Sequence, residues 1–424
     1  MSFTFNELPY GASPPSTWNV VPLKHLVTLS NGYVFKSDSW EETGTPIIRI
    51  ENLNGSANFN HSNLALPAKH RIFPGDLLFS WSGNPGTSFG PFRWGRVGLH
   101  YLNQHIFKVA VHGCEKDWLY WSLRAATYWI ERELTSGMIG MVHVTKDELA
   151  NVPIPVPPLE VQRQIAEFLD TETARMDALR QRIQRHVSSL KMRRQLQITE
   201  ATRGSDSDVQ RSLHAIAEVI LGRQRSPQHA EGPHMVPYLR AANVKDGRLD
   251  LSDVMAMNFT SDEQRVFALR PGDVLVTEGS GSLKAVGAAA VWAGEICGTV
   301  CFQNTLLRIR PRVGLADGEF LEWWARSAFA SGEFASIATG ANIYHLSAER
   351  VRSLVTRFPD LDEQRRIATQ LAVETRKVDD LIATRGRQLN VLAERRQALI
   401  TAAVTGQFDI STASGLNVTD GVGA

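Results

Sequence analysis

Two long stretches of this chain alternate apolar and polar positions with helical spacing. In the first, Ile165, Leu169, Met176, Leu179, Ile183, Val187 and Leu190 fall at intervals of 4, 7, 3, 4, 4 and 3. In the second, Ile367, Leu371, Val378, Leu381, Leu389 and Leu392 do much the same. Such a narrow apolar seam between Arg, Gln and Glu is the signature of a coiled coil. Pro153, Pro155, Pro157 and Pro158 stop the structure before the first helix, with Pro158 near the first turn, where proline is tolerated. Gly204 and Gly406 sit where each helix should end. Neither seam can remain exposed, so the simplest packing is antiparallel, helix against helix, within one chain.

The two helical stretches are also copies. With a fixed offset of 202 and no gap, residues 159–204 lie over 361–406 with 19 of 46 positions identical. The matches include Gln162/Gln364, Arg163/Arg365, Ile165/Ile367 and Asp177/Asp379. A period this long makes each repeat a whole domain plus a helix rather than a solenoid unit. The segments ahead of the helices correspond as well. "PIIRIENLNG" (46–55) resembles "PYLRAANVKDG" (237–247), "FPGDLLFSWSG" (73–83) resembles "RPGDVLVTEGSG" (270–281), and "LNQHIFKV" (102–109) lies over "FQNTLLRI" (302–309). "WLYWSLR" (118–124) lies near "FLEWWAR" (320–326), and "MVHVTKDEL" (141–149) over "IYHLSAERV" (343–351). Short β-rich runs, Gly/Pro turns and one amphipathic helix per segment predict a small α+β domain in each half. The expected organisation is a globular domain at 1–156, a helix at 157–204, a second globular domain at 205–358, a helix at 359–410 and a disordered tail at 411–424.

Composition narrows the class without deciding function. The chain has 424 residues, 21% charged and 43% hydrophobic, an ordinary composition for a soluble protein. No apolar run approaches a membrane span and the N-terminus lacks the pattern of an export signal, so a cytoplasmic protein is expected. Cys114, Cys297 and Cys301 fit a reducing compartment, and "CGTVC" reads as buried structural thiols on a strand rather than a metal or redox pair. The net charge of +1 does not announce a nucleic-acid binder, and residues 157–204 carry 9 Lys/Arg against 6 Asp/Glu. A DNA ligand would require clustered basic residues, or a partner that supplies the phosphate neutralisation. No P-loop, amino-methyltransferase, nucleophile-elbow, zinc-protease or kinase motif occurs, and His105 and His143 stand alone in sequence. The chain reads as a recognition device rather than an enzyme, with no metal or cofactor of its own.

Two variable globular units, each followed by a long helix, with "PLEVQRQIAEFLD" in the middle and "RRQALITAAVTGQFD" at the end, resemble the specificity subunit of a type I restriction-modification system. The "P-G-D-[LV]-L" phrase of each unit is typical of that family's target-recognition domains; the second helix departs from the pattern, with "DLDEQ" for "PLxxQ". The resemblance implies a pseudo-twofold internal repeat, in which each domain reads one half of a bipartite site in double-stranded DNA. The helices would hold the halves apart and dock two methyltransferase subunits. Those partners would carry S-adenosylmethionine for adenine-N6 methylation, and restriction subunits would bring ATP and Mg. The other reading is a duplicated protein-binding scaffold without DNA specificity.

Base edges are read by paired donors and acceptors. The candidates in the first domain are Ser80, Trp81, Ser82, Gly140 and His143; in the second they are Glu278, Ser280, Ser282, Lys284, Asn342, Tyr344 and His345. Arg49 and Arg240 occupy matched positions suited to a phosphate or a carboxylate. A scaffold role competes with DNA contact at His143 and His345, and core packing competes at Trp81 and Tyr344. For partner docking, the repeated Gln162, Arg163, Gln364 and Arg365 are expected on the exposed first turn of each helix.

Overall fold

The structure is a computed structural model that describes residues 13–36, 40–134, 141–226, 230–283 and 285–408. Gly140, Lys284 and the tail at 411–424 therefore lie outside the described residues. The chain divides into two compact units, Met1–Arg182 with Gln388–Ala424, and Ile183–Arg387. Each contains one globular domain and parts of both long helices, which run Leu159–Thr202 and Leu361–Val404.

The two domains repeat one plan. In the first unit an antiparallel sheet runs in the order Val27–Asn31, Ile106–Val111, Leu77–Ser80, Gly90–Arg93. In the second unit the order is Ala217–Leu221, Leu306–Pro311, Asp273–Thr277, Ala289–Trp292. Successive strand side chains face opposite sides, and both faces are used. Phe107 and Val109 join the core under the helix Lys116–Leu134, while Ile106 joins a separate core with Ile48, Ile72 and Leu102. In the second unit Leu307 and Ile309 face the helix Gly318–Ser331, and Leu306 faces Leu239, Val244 and Phe302. The second sheets have diverged. The first unit has four strands, Asn60–Ser62, Thr45–Ile48, His100–Leu102 and Arg71–Ile72, where the second has three, Met255–Asn258, Met235–Leu239 and Cys301–Phe302.

Repeated phrases turn out to be framework. In "P-G-D", Asp76 accepts from the Phe73 N–H at 2.9 Å and from Lys108 Nζ at 3.0 Å. Asp273 accepts from the Arg270 N–H at 2.7 Å and binds Arg310 through both oxygens at 2.7 and 2.6 Å. The Arg-x-x-Asn phrase folds back on itself. Asn52 Oδ1 caps the Arg49 N–H and its Nδ2 ties down the carbonyls of Ser56 and Asn58. Asn243 does the same with the Arg240 N–H and the carbonyls of Asp250 and Asp253. Gly32 and Gly222 are dictated by crossing backbone, since a Cβ would lie 2.0 Å from the Asn103 carbonyl oxygen and 2.3 Å from that of Gln303.

The helices are antiparallel in each unit. In the first, Ile165, Ala166, Leu169 and Met176 share a core with Leu399, Ile400, Ala403 and Val404, and Asp177 pairs with Arg396 at 3.7 Å. In the second, Ile198 shares a core with Ala368 and Leu371, and Arg194 pairs with Asp379. Each ion pair is the other shifted by 202 residues, as an antiparallel repeat demands. Gly204 and Gly406 end the helices at φ 72° and 73°, in the left-handed region that glycine tolerates. The seam is narrower than the periodicity predicts. Leu179 and Leu381 are each 48% exposed.

Three expectations need correction. Gln162 and Gln364 are not exposed but almost fully buried, at 2% and 1%. Gln162 Oε1 accepts from the Glu115 N–H at 2.7 Å and its Nε2 donates to the Pro157 carbonyl at 2.8 Å. Gln364 accepts from the Asp317 N–H at 2.9 Å and donates to the carbonyls of Pro359 and Leu315. Each glutamine thus pins the start of a long helix to the start of the domain helix. Ser80 and Ser82 are likewise buried, Ser80 Oγ donating to the Ser82 carbonyl and Ser82 Oγ to Met141 Sδ. That removes both hydroxyls from a ligand-facing role. Of the two cysteines in "CGTVC", Cys301 is buried, with its thiol pushed up to about 12 by burial, whereas Cys297 is exposed.

Candidate nucleic-acid interface

In each domain a short ribbon brings together residues about sixty apart in sequence. Ser82–Gly83 pairs with Val142–His143, and Gly279–Ser280 pairs with Tyr344–His345. The surrounding backbone bonds match. Trp81 N donates to the His105 carbonyl and Val144 N to the Trp81 carbonyl; Glu278 N donates to the Thr305 carbonyl and Leu346 N to the Glu278 carbonyl. Trp81 therefore corresponds to Glu278, His105 to Thr305 and His143 to His345.

Period-2 alternation gives the second strand of each ribbon an inner and an outer face. Val142 and Val144, like Leu346, are buried, and Tyr344 packs against the core. Outward stand Met141 and His143 in the first domain, and Ile343 and His345 in the second. Met141 and Ile343 are 67% and 55% exposed at matched positions. The turn after each ribbon strand is stiff. Thr145 and Ser347 cap the next short helix, and the hydrogen bonds of Thr145 to Glu148 hold that carboxyl below its usual range.

On this common frame the side chains differ. In the first domain the indole of Trp81 is flanked by the ring of His143 at 4.6 Å, edge to face, and by that of His105 at 5.3 Å. Trp81 also stacks on Phe107 at 5.9 Å and donates Nε1–H to the Gln104 carbonyl, so part of it belongs to the core. In the second domain the place of the indole is taken by Glu278, whose carboxylate is bound by His345 Nδ1 at 3.0 Å. Ser280 ends the ribbon strand and Ser282 and Asn342 lie in the adjoining turns, Ser280 Oγ capping the Ser282 N–H. His105 is a neighbour of Trp81 that the sequence candidates left out; the aligned phrases around residues 102–109 and 302–309 carried the signal.

Among the described residues, the remaining candidates make their contacts with other groups. Arg49 pairs with Glu51 at 3.1 Å, bonds Asn60 and lies over Trp40, while Arg240 pairs with Asp253. Both hold carboxylates. Arg163 and Arg365 are on the exposed first turns, each paired with an acid three residues earlier. Among the described residues no His/Cys/Asp/Glu cluster could hold a metal ion, and no helix is long and apolar enough to cross a membrane.

Known proteins share this architecture along its length. Residues 15–187 match the family described as "Type I restriction modification DNA specificity domain". The chain is 24% identical to the type I restriction enzyme EcoKI specificity subunit of Escherichia coli K12, over 93% of this chain and 90% of that one. It is 21% identical to the putative type I restriction enzyme MjaX specificity subunit of Methanocaldococcus jannaschii, over 94% and 95%. Among solved structures, a chain from work on complex assembly and conformational transition of the type I R-M system superposes with a TM-score of 0.72 at 18% identity, covering 93% of this chain and all of that one. The HsdS subunit from Thermoanaerobacter tengcongensis superposes at 0.52 with 19% identity, covering 95% of this chain and 100% of that chain. The family match over residues 15–187, the relatives aligned along nearly the whole chain and the shared fold agree: the chain is similar to the specificity subunits of type I restriction enzymes.

Proposed function

We propose that this chain supplies the DNA sequence specificity of a type I restriction-modification complex and is itself a non-catalytic recognition component. Each globular domain reads one half of a bipartite site in double-stranded DNA. The helix pair sets the gap and docks two methyltransferase subunits, with the exposed first-turn arginines Arg163 and Arg365 as candidate contacts. S-adenosylmethionine binds on those partners, and ATP and Mg bind on restriction subunits. With a net charge of +1, much of the phosphate neutralisation falls to the partners as well.

The observation that carries this reading is the pairing of a repeated backbone frame with unlike, half-buried side chains at matched positions, Trp81 and His105 against Glu278 and Thr305. Two copies of one scaffold carrying different chemistry can read two different half-sites, since base identity is taken from side-chain donors and acceptors while the frame only positions them. Mapping methylated adenines in host cells with and without the gene tests it. Deletion should abolish methylation at one split motif, two short blocks separated by a fixed gap. An unchanged map in cells expressing the protein and its partners would favour a protein-binding scaffold instead.

A further inference from the structure

The second domain contains one side chain whose hydrogen-bonding state is built rather than incidental. His345 is held by its backbone on both edges: it exchanges N–H and carbonyl bonds with Thr339 at 2.7 and 3.0 Å, and it pairs across the ribbon with Gly279. Its ring lies over Gly279, where a Cβ would stand 3.2 Å from Nδ1. The first domain has Ser82 at that place, and His143 turns its ring to Trp81 instead. Glycine thus makes room for the imidazole to reach Glu278, whose two carboxylate oxygens lie 3.0 and 3.2 Å from Nδ1. The carboxylate is mostly covered, at 16% exposure, while the imidazole is 52% exposed, next to the exposed Ile343.

A carboxylate can only accept, so Nδ1 carries the proton toward it, and in the singly protonated ring Nε2 is left as an acceptor. An outward acceptor on a fixed ring complements an exocyclic amino group. In the major groove those are adenine N6 and cytosine N4; guanine and thymine offer acceptors there. The aliphatic side chain beside it, Ile343, suits the apolar flank of a base or sugar. The matched His143 has no carboxylate in the place of Glu278, so its tautomer is not set in the same way.

Resting on the reading of the domains as half-site readers, we infer that His345, oriented by Glu278 over Gly279, is a specificity-determining residue that accepts from an amino-bearing base in the half-site read by the second domain. Glu278 is the positioning residue. The amide of Glu278→Gln can donate to Nδ1 and let the ring flip its tautomer, without loss of the hydrogen bond or of fold. Gly279→Ser copies the first domain and pushes the ring away from the carboxylate.

The test measures methylation by the assembled complex on duplexes carrying each base at every position of the native motif. With Glu278→Gln, discrimination at one base pair of one block should fall about ten-fold or more, with the other block and the gap unchanged. Gly279→Ser should relax the same position. Unaltered preferences in both variants, in complexes that assemble and methylate, would overturn the inference. If one variant fails to assemble, the other decides, and His345→Asn, at an exposed side chain, provides a third reading of the same position. Relaxation in both blocks would also overturn it. The underlying reading fails separately, if the unaltered complex shows no bipartite motif at all.

Discussion

Replacing Asp273 with alanine is expected to destabilise the second unit by about 3–5 kcal/mol, the cost of leaving a buried cation without its partner. The carboxylate is 1% exposed and binds Arg310 through both oxygens while accepting from the Arg270 N–H. The alanine variant leaves the Arg310 guanidinium, itself only 15% exposed, without a counter-charge and with the Ala268 carbonyl as acceptor. Because an ion pair repays its own desolvation poorly, the double variant Asp273→Leu with Arg310→Leu should recover a large part of the loss. The matched Asp76→Ala should cost about 1 kcal/mol, since the Lys108–Asp76 pair is partly open to water. Urea unfolding of the three variants gives the ordering. Equal losses at Asp76 and Asp273 would show that the turn, not the ion pair, makes the motif indispensable.

Leucine in place of Gln364 should cost about 2–4 kcal/mol, through buried backbone groups left without partners. The side chain satisfies the Asp317 N–H and the carbonyls of Pro359 and Leu315. Leucine keeps the volume and loses all three bonds. Gln162→Leu should behave alike in the first unit, where the Glu115 N–H and the Pro157 carbonyl are at stake. The loss includes a loosening of domain on helix, so hydrogen exchange should quicken at the first turns of Lys116–Leu134 and of Gly318–Ser331 respectively. Two variants as stable as the parent, with unchanged exchange, would return these glutamines to the surface role that their sequence context suggests.

The parts of the fold legible in the sequence were those written locally. Apolar spacing, proline entry and closing glycine predicted both long helices, and the offset of 202 predicted the repeat before any contact was known. What stayed hidden depends on partners far along the chain. Gln162 looks like a polar first-turn residue because its hydrogen-bond partner, Glu115, lies 47 residues upstream. Ser80 and Ser82 look accessible in a Gly-rich phrase, yet the ribbon pairing with residues 142–143 buries them. His105 was set aside as isolated because its nearness to Trp81 comes from strand register. The paired histidines at 143 and 345 were visible from the offset alone, but the carboxylate that distinguishes one from the other required the cross-strand alignment of Glu278.

The central claim is that two copies of one scaffold read two halves of a site independently. The most direct measurement exchanges residues 1–156 for the corresponding segment of another specificity subunit, leaves both helices intact, and maps methylated adenines in cells that supply the partner subunits. One block of the split motif should change, with the other block and the gap as before. A change in both blocks, or in the gap, would contradict the modular account.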